Sequence, residues 1–235
     1  MLQVFALTKS FQGVRAVRDV SFELARGTIV ALVGPNGAGK TTTFNLIAGA
    51  IRPDSGKVIL DGRDITGVRQ NRACDAGIGR SFQIVRPFNR LSVLENVVIG
   101  ALHRHRSPRD ATDVAKSILD SLGMYDKAHR FAQSLTLPDK KRLEVARAIA
   151  TGPKVLLLDE VMAGLRPPEV DAMVDTLRRL RERLDLTILL TEHVMRAVMA
   201  LSQRIVVMHH GEKICEGPPN KVVKDPLVLE SYLGH

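Results

Sequence analysis

The chain has 235 residues, of which 45% are hydrophobic, so it can bury a substantial core in one α/β domain or two small ones. It contains no run of about 18 uncharged apolar residues, and its N-terminus lacks the basic lead-in and cleavage site of a signal peptide. We therefore expect one compact, soluble, cytoplasmic unit. The net charge of +9 suits nucleic acid, an anionic membrane or a phosphate ligand, and equally a solvated basic surface without a specific partner.

The first 70 residues have the pattern of antiparallel strands. VSFELARGTIV alternates in hydropathy, and KVILDGRDI turns at Asp-Gly as a hairpin does. Between about residues 92 and 150 the pattern becomes helical, with a charged loop HRHRSPRD at residues 103–110. Short apolar runs separated by helical segments predict a parallel sheet covered on both faces; they are TIVALVG (28–34), KVLLLDE (154–160), LTILLTEH (186–193) and RIVVMHH (204–210).

Two cysteines, Cys74 and Cys215, lie far apart without a CxxC motif or a nearby set of Cys and His ligands. This spacing indicates neither a disulfide framework nor a zinc site. We expect both to be buried free thiols.

The segment GPNGAGKT follows an apolar strand and opens the helical run KTTTFNLIAG. Its glycines allow successive N–H groups to point at phosphate oxygens. Lys40 adds a positive charge at the β and γ phosphates, and Thr41 offers a hydroxyl to Mg²⁺. The predicted nucleotide-binding residues here are Gly34, Pro35, Asn36, Gly37, Ala38, Gly39, Lys40, Thr41 and Thr42.

Two adjacent acids, Asp159 and Glu160, end the strand KVLLLDE, where ligands of open parallel sheets bind. Buried acids are costly unless an ion or a reacting water uses them. We expect Asp159 to hold the Mg²⁺ shell and Glu160 to polarise the attacking water. Guanine specificity is disfavoured, because the nearest match to an NKxD motif, at residues 220–223, lacks the acid.

The order GPNGAGKTT, RSFQ, RLEVARA, LLLDE and TEH resembles the ATP-binding subunit of ABC transporters over essentially the whole chain. More narrowly, RSFQIVRPFNRLSVLENV, DE followed by AGL, TEHVM and SYLGH resemble the subunits that serve branched-chain amino-acid uptake. The resemblance implies an α/β fold: a RecA-like P-loop NTPase core with an N-terminal antiparallel β subdomain and a helical signature subdomain. One ABC ATPase domain would span residues 1–235. Residues 1–83 and about 151–235 would form the β subdomain and catalytic core, and about 84–150 the helical subdomain.

The resemblance also assigns roles to single residues. Phe11 matches the aromatic that stacks on adenine, and His193 matches the histidine that contacts the γ-phosphate and the catalytic glutamate. Gln83 matches the loop glutamine that touches Mg²⁺ and the attacking water. The implied ligands are ATP and Mg²⁺, with Glu160, His193 and Gln83 catalytic and Thr41, Gln83 and Asp159 at the metal.

In this family two ATP-binding subunits face each other head to tail, so each ATP lies between one phosphate loop and the other subunit's signature turn. The implied partners are a second ATP-binding subunit, two transmembrane permeases and, indirectly, an extracytoplasmic solute-binding protein. The chain would lie peripherally on the cytoplasmic face of the inner membrane, without nucleic acid. Two alternatives stay open: a regulatory subunit with little hydrolysis of its own, and a soluble ABC ATPase acting on DNA or ribosomes, which the positive charge would suit.

The sequence departs from the family at the signature LSGGQ, which is replaced by Leu135, Thr136, Leu137, Pro138 and Asp139. Pro138 has no N–H to offer a phosphate, and Asp139 would bring a negative charge towards ATP. Val161 and Arg166 also replace the usual proline and the usual Asp or Asn after the DE pair. We therefore favour a heterodimer, in which this chain's own site is complete and the site it lends its partner is impaired. An active homodimer is the rival, because a helix N-terminus can still present other N–H groups.

Overall fold

The computed structural model describes residues 1–81 and 86–233. The strands are β1 (Leu2–Phe11), β2 (Val14–Leu24), β3 (Ile29–Val33), β4 (Ser55–Leu60), β5 (Arg63–Asp64), β6 (Ile78–Arg80), β7 (Val155–Asp159), β8 (Thr187–Thr191), β9 (Arg204–His209) and β10 (Glu212–Gly217). The helices are α1 (Lys40–Ile47), α2 (Gln70–Ala76), α3 (Val93–Ala101), α4 (Pro108–Ser121), α5 (Leu137–Ala150), α6 (Pro167–Leu184), α7 (Met195–Leu201), α8 (Pro219–Val222) and α9 (Pro226–Leu233). Two 3₁₀ turns lie at Tyr125–Lys127 and Ala132–Ser134.

The strands form two sheets. An antiparallel sheet has the order β2-β1-β4-β5, which confirms the antiparallel pattern predicted near the N-terminus. The second sheet has the order β10-β9-β3-β8-β7-β6, and all its neighbours are parallel except β10 against β9. The four apolar runs predicted as parallel strands are therefore all confirmed.

The parallel sheet is buried on both faces, which is why its strands read as continuous apolar runs. Every residue of β3, β7 and β8 is buried. In β3, Val30 and Leu32 pack towards the antiparallel sheet, whereas Ile29, Ala31 and Val33 join the core shared with the helices. The ends of β3 and β7 are consequently fixed, and both lead into the candidate site.

The helical pattern predicted between residues 92 and 150 is confirmed by α3, α4 and α5. The predicted loop at residues 103–110 ends earlier than expected, because Pro108 opens α4 and Ser107 caps it by accepting the N–H of Asp110. Proline fits the first turn of a helix, where its missing N–H has no partner to lose. Among the described residues, no helix is long and apolar enough to span a bilayer.

The prediction of buried thiols is wrong in degree, since both cysteines are free but only partly buried. Cys74 lies on α2 with its Sγ 3.5 Å from His103 Nε2. Cys215 lies on the outermost strand β10, where its thiol donates to Asp225 Oδ2 at 3.3 Å. The edge position of β10 leaves the small side chain of Cys215 partly exposed.

Candidate functional site

The phosphate loop connects β3 to α1 and depends on glycine at two close approaches. Gly34 has φ +150° and Gly39 has φ +100°. A Cβ on Gly34 would lie 2.1 Å from the carbonyl oxygen of Met208, and one on Gly39 would lie 2.4 Å from that of Ala16. Both distances are far inside van der Waals contact, so a side chain at either position would displace the loop.

The loop lines an open cavity of about 410 Å³. Its walls combine seven of the predicted nucleotide-binding residues with Ala16 and with one residue just beyond each of β7 and β8, and they do not include Phe11, Gly34 or Pro35. They are Ala16, Asn36, Gly37, Ala38, Gly39, Lys40, Thr41, Thr42, Glu160 and His193. Most of the predicted nucleotide-binding and catalytic residues therefore share one cavity.

Ala16 is a wall residue that the sequence did not indicate, because an alanine within a strand carries no motif. Phe11, predicted to stack on adenine, lies instead at the tip of the β1–β2 hairpin, paired with Val14. Its side chain is 43% exposed, with the Lys9 ammonium 5.6 Å from the ring centroid, and it is not among the cavity walls. Its stacking role therefore stays a prediction.

The Lys40 ammonium is held by the loop itself. Its Nζ donates to the carbonyl oxygens of Gly34 at 2.7 Å and Pro35 at 2.9 Å. Burial lowers the pKa of Lys40, and the charges of Glu160 and Asp159 oppose that shift. A phosphate oxygen arriving in the cavity would replace neutral carbonyl acceptors with a charged one, which favours the move of the ammonium.

Asp159 is fixed by three neighbours. Its Oδ1 accepts from Thr191 Oγ1 at 2.7 Å, its Oδ2 from Arg80 Nη2 at 3.2 Å, and its N–H donates to Ser81 Oγ at 3.2 Å. It is 2% exposed, and a carboxylate so placed must be paired. Carboxylate and hydroxyl oxygens are the donors Mg²⁺ prefers, and Mg²⁺ usually keeps several waters, so Asp159 and Thr41 fit a hydrated ion.

Glu160 and His193 form a pair at the mouth of the cavity. Glu160 Oε1 lies 3.0 Å from His193 Nε2, and the glutamate side chain is 16% exposed. The backbone at Glu160 has φ +48°, a left-handed conformation that costs roughly 1–3 kcal/mol for a residue with a side chain. The N–H of Glu160 donates to the Thr191 carbonyl at 3.0 Å, which helps to hold that conformation. This carboxylate can accept a proton from a water, with an imidazole holding its orientation.

Gln83, the predicted loop glutamine, lies outside the described residues. The described residues end before it at Ser81 and begin again after it at Arg86. Arg80, which sequence reasoning missed, reaches from the end of β6 to Asp159 and to Asn45 Oδ1 at 2.6 Å. Its place directly ahead of SFQ was the available signal.

The signature segment corrects one expectation. Asp139 does not present its carboxylate to solvent: it is 6% exposed, and both its oxygens accept from Lys127 Nζ at 2.8 Å. Thr136 caps α5 and its hydroxyl donates to Asp139 Oδ2 at 3.0 Å. The charge is neutralised inside the chain because Lys127, on a 3₁₀ turn, reaches the first turn of the helix. Leu137, by contrast, is 45% exposed at the N-terminus of α5.

The two departures after the acids differ in their placement. Val161 is 2% exposed and belongs to the core. Arg166 stands on the surface at the N-terminus of α6, where its guanidinium bonds to Glu169 Oε1 at 2.7 Å. The pKa of Glu169 is lowered by this hydrogen bond. The positive side chain predicted at this loop is therefore largely compensated by its neighbour.

The family described as ABC transporter matches residues 17–163. The chain belongs to the ABC transporter family. A second family, described as branched-chain amino acid ATP-binding cassette transporter, matches residues 212–235. The chain is thus an ABC-type ATPase, as its site geometry and its relatives both indicate.

Its relatives match along their whole length. The high-affinity branched-chain amino acid transport ATP-binding proteins LivG of Salmonella typhimurium and BraF of Pseudomonas aeruginosa are 37% and 36% identical, with 100% of this chain and 98% of each relative covered. The lipopolysaccharide export system ATP-binding protein LptB of Acidithiobacillus ferridurans is 36% identical, with 100% and 97% covered. Two solved cassettes, one nucleotide-free and one the ADP conformation of MJ1267, superpose with TM-scores of 0.91 and 0.90 at 29% and 30% identity, and each match covers 100% of this chain and 99% of the solved chain. The predicted α/β fold of a P-loop cassette is confirmed.

Proposed function

We propose that this chain is the ATP-hydrolysing motor subunit of an importer for branched-chain or related amino acids. The observation that carries the hydrolytic role is the Glu160–His193 pair, 3.0 Å apart and facing the same cavity as Lys40. Two features support the substrate class: the names of LivG and BraF, and the match of residues 212–235 to the branched-chain cassette family.

In the proposed mechanism, the loop N–H groups and Lys40 bind the phosphates of ATP in the cavity. Glu160 accepts a proton from the attacking water, and His193 holds the carboxylate towards that water. Mg²⁺, held by Thr41 and Asp159 with Gln83 as its further predicted ligand, would neutralise charge on the phosphate oxygens. General-base assistance of this type contributes about 10²- to 10⁴-fold in rate.

We further propose that the chain works in a heterodimer with a second ATP-binding subunit whose signature turn is complete. Pro138 supplies no N–H in the first turn of α5, and Leu137 adds a side chain where the family has glycine. A charge-assisted hydrogen bond lost there weakens phosphate binding by about one to two powers of ten. Two permeases would carry the substrate, fed by an extracytoplasmic binding protein, with this chain peripheral on the cytoplasmic face of the membrane.

The test is phosphate release by the transporter complex isolated through a tag on this chain. Glu160→Gln keeps the shape of the side chain but removes the base, so activity should fall at least about a hundredfold. Glu182→Gln, on the exposed face of α6, is the matched control and should match wild type. Full activity in the Glu160→Gln complex would place the working site elsewhere.

The LptB relative is as similar overall as BraF, so substrate class needs its own measurement. Leucine uptake by vesicles containing the complex should require ATP inside and should stop in the Glu160→Gln variant. ATP-dependent extraction of lipopolysaccharide without leucine uptake would instead favour the export function. Tight ATP binding without turnover in the complete complex would favour the regulatory alternative.

A further inference from the structure

Helix α5 contacts the backbone of this chain's own Glu160. Lys141 lies one turn into α5, two residues after the altered signature segment, and is 4% exposed. Its Nζ donates to the Glu160 carbonyl oxygen at 3.0 Å. Burial lowers the pKa of this ammonium, and the charges of Glu192, Glu160, Glu144 and Asp159 all oppose the shift. A lysine kept so far from water requires acceptors, and Glu160 supplies one of them.

A second buried group, Glu192, also bonds to the same turn. Glu192, at the end of β8, is 2% exposed and its Oε1 accepts the N–H of Met162 at 2.8 Å. Lys141 and Glu192 attract each other, whereas Glu160 and Glu192 repel. Lys141 thus binds the carbonyl of Glu160 and Glu192 binds the N–H of Met162, so the turn at residues 160–162 is held at both ends.

We propose that Lys141 is a positioning residue that keeps Glu160 in its left-handed conformation and so aims its carboxylate at the cavity. The φ of +48° needs outside support, because a residue with a side chain prefers other backbone conformations. The Glu160 carbonyl is the group whose direction this conformation fixes, and Lys141 binds it. The inference rests on the proposed function, since it takes Glu160 as the base.

The consequence concerns the signature segment. Because α5 begins at Leu137 and is a continuous helix through Lys141, displacement of its N-terminus moves the ammonium as well. The segment lent to a partner therefore also sets the geometry of this chain's own base.

Hydrogen exchange tests the link without any need for turnover. The amides of Glu160, Met162, Ala163 and Leu165 are all hydrogen-bonded in the described structure, so a peptide covering residues 160–165 reports on the turn. In the full chain, Lys141→Met should speed exchange there about tenfold, and Lys141→Arg should restore it. Lys140→Met, on the same helix but only partly buried, is the control. Equal exchange in the Lys141 and Lys140 variants would overturn the proposal.

Kinetics in the complex separate this inference from the proposed function. Lys141→Met should lower kcat about ten- to hundredfold with KM for ATP within about twofold, and Lys141→Arg should recover most of the rate. In a Glu160→Gln background, Lys141→Met should not lower the residual rate further. A normal kcat for Lys141→Met beside an inactive Glu160→Gln complex would refute the positioning role alone, whereas an active Glu160→Gln complex would refute the proposed base. If Lys141→Met does not fold, Lys141→Gln, which is polar but one bond too short to bring its amide to the Glu160 carbonyl, must show the same kcat loss or the proposal fails.

Discussion

The nucleotide cavity and the signature segment use their polar groups in opposite ways. At the cavity, the hydrogen bonds that Lys40 makes to described residues go to neutral carbonyls, and the backbone of Glu160 is strained. At the signature segment, the Asp139 carboxylate is bound by Lys127 and by the hydroxyl of Thr136 within the chain. The nucleotide cavity keeps charged groups available to a ligand at the expense of stability. In the signature segment, the charged groups instead pair with each other and stabilise the fold.

This contrast predicts opposite signs for mutations in the two regions. Removing a polar group at the cavity should lower activity while leaving stability unchanged or raised. Removing Lys127 should lower stability, because the buried Asp139 carboxylate would then lose its hydrogen-bonded ammonium and keep the more distant Arg142 guanidinium at 3.8 Å.

The largest effect concerns Lys40. Lys40 carries the only side-chain charge among the loop residues of the cavity wall, and we expect its ammonium to make two or more charge-assisted hydrogen bonds to phosphate. Lys40→Ala removes these bonds, so ATP affinity should fall by about two to four powers of ten. Fluorescent-nucleotide titration of the full chain measures it, with exposed Lys57→Ala on β4 as the control. The free energy of unfolding should change by less than about 1 kcal/mol, since the described partners of the Lys40 ammonium are loop carbonyls. If Lys40→Ala binds nucleotide as tightly as wild type, the cavity does not use this charge to bind the ligand, and the contrast between the two regions is wrong.

The second concerns Glu192, whose pKa burial raises to about 7 from an ordinary value of 4.5. Because the folded chain holds this proton more tightly than the unfolded chain, the free energy of unfolding should fall as pH rises from about 4.5 to about 7. Glu192→Gln should therefore stabilise the chain by up to about 3 kcal/mol at pH 8 and by less than about 1 at pH 5.

Urea denaturation at the two pH values measures this difference. Glu182→Gln, on an exposed helix face, should show no such pH dependence. A Glu192→Gln variant less stable than wild type at pH 8 would mean that the carboxylate is a net stabiliser there and would contradict the sign.

Most of the fold followed from the sequence because the parallel strands are buried on both faces and are therefore apolar throughout. The runs at 154–160 and 186–193 predicted β7 and β8 closely for that reason. The start of α4 was misplaced because Pro108 breaks a helix inside but opens one at its first turn. The partial exposure of Cys215 could not be read from its spacing, since it depends on β10 being the last strand of the sheet.

The candidate site was predictable where a motif fixes the backbone and unpredictable where a contact is long-range. Motifs predicted Lys40 and Glu160, the family resemblance predicted His193, and all three line one cavity. The burial of Asp139 depends on Lys127, twelve residues earlier on an irregular turn, and no local pattern announces that pairing. A charged residue in a motif indicates a type of chemistry, but which group its side chain faces depends on partners that only the tertiary structure supplies.

The third prediction tests the pairing itself. Lys127→Met should lower the free energy of unfolding by about 2 kcal/mol, between the values typical of exposed and buried pairs, because Asp139 is 9% exposed and Lys127 24% at their side chains. In an Asp139→Asn background the same change should cost less than about 1 kcal/mol. Chemical denaturation of the four chains completes the cycle, and purely additive effects would show that the two groups do not stabilise each other.

The smallest effect separates two explanations of the altered signature. Pro138 stands in the first turn of α5, so both Pro138→Ala and Pro138→Gly restore an N–H at the helix N-terminus, but only glycine also removes the side chain. With this chain's own site silenced by Glu160→Gln, phosphate release by the complex reports the opposite site. We expect both variants to raise it about tenfold, the value of one recovered charge-assisted bond. A gain with glycine alone would assign the defect to the approach of the backbone, and a rate unchanged in both variants would contradict the missing N–H as the cause of slow turnover at the opposite site.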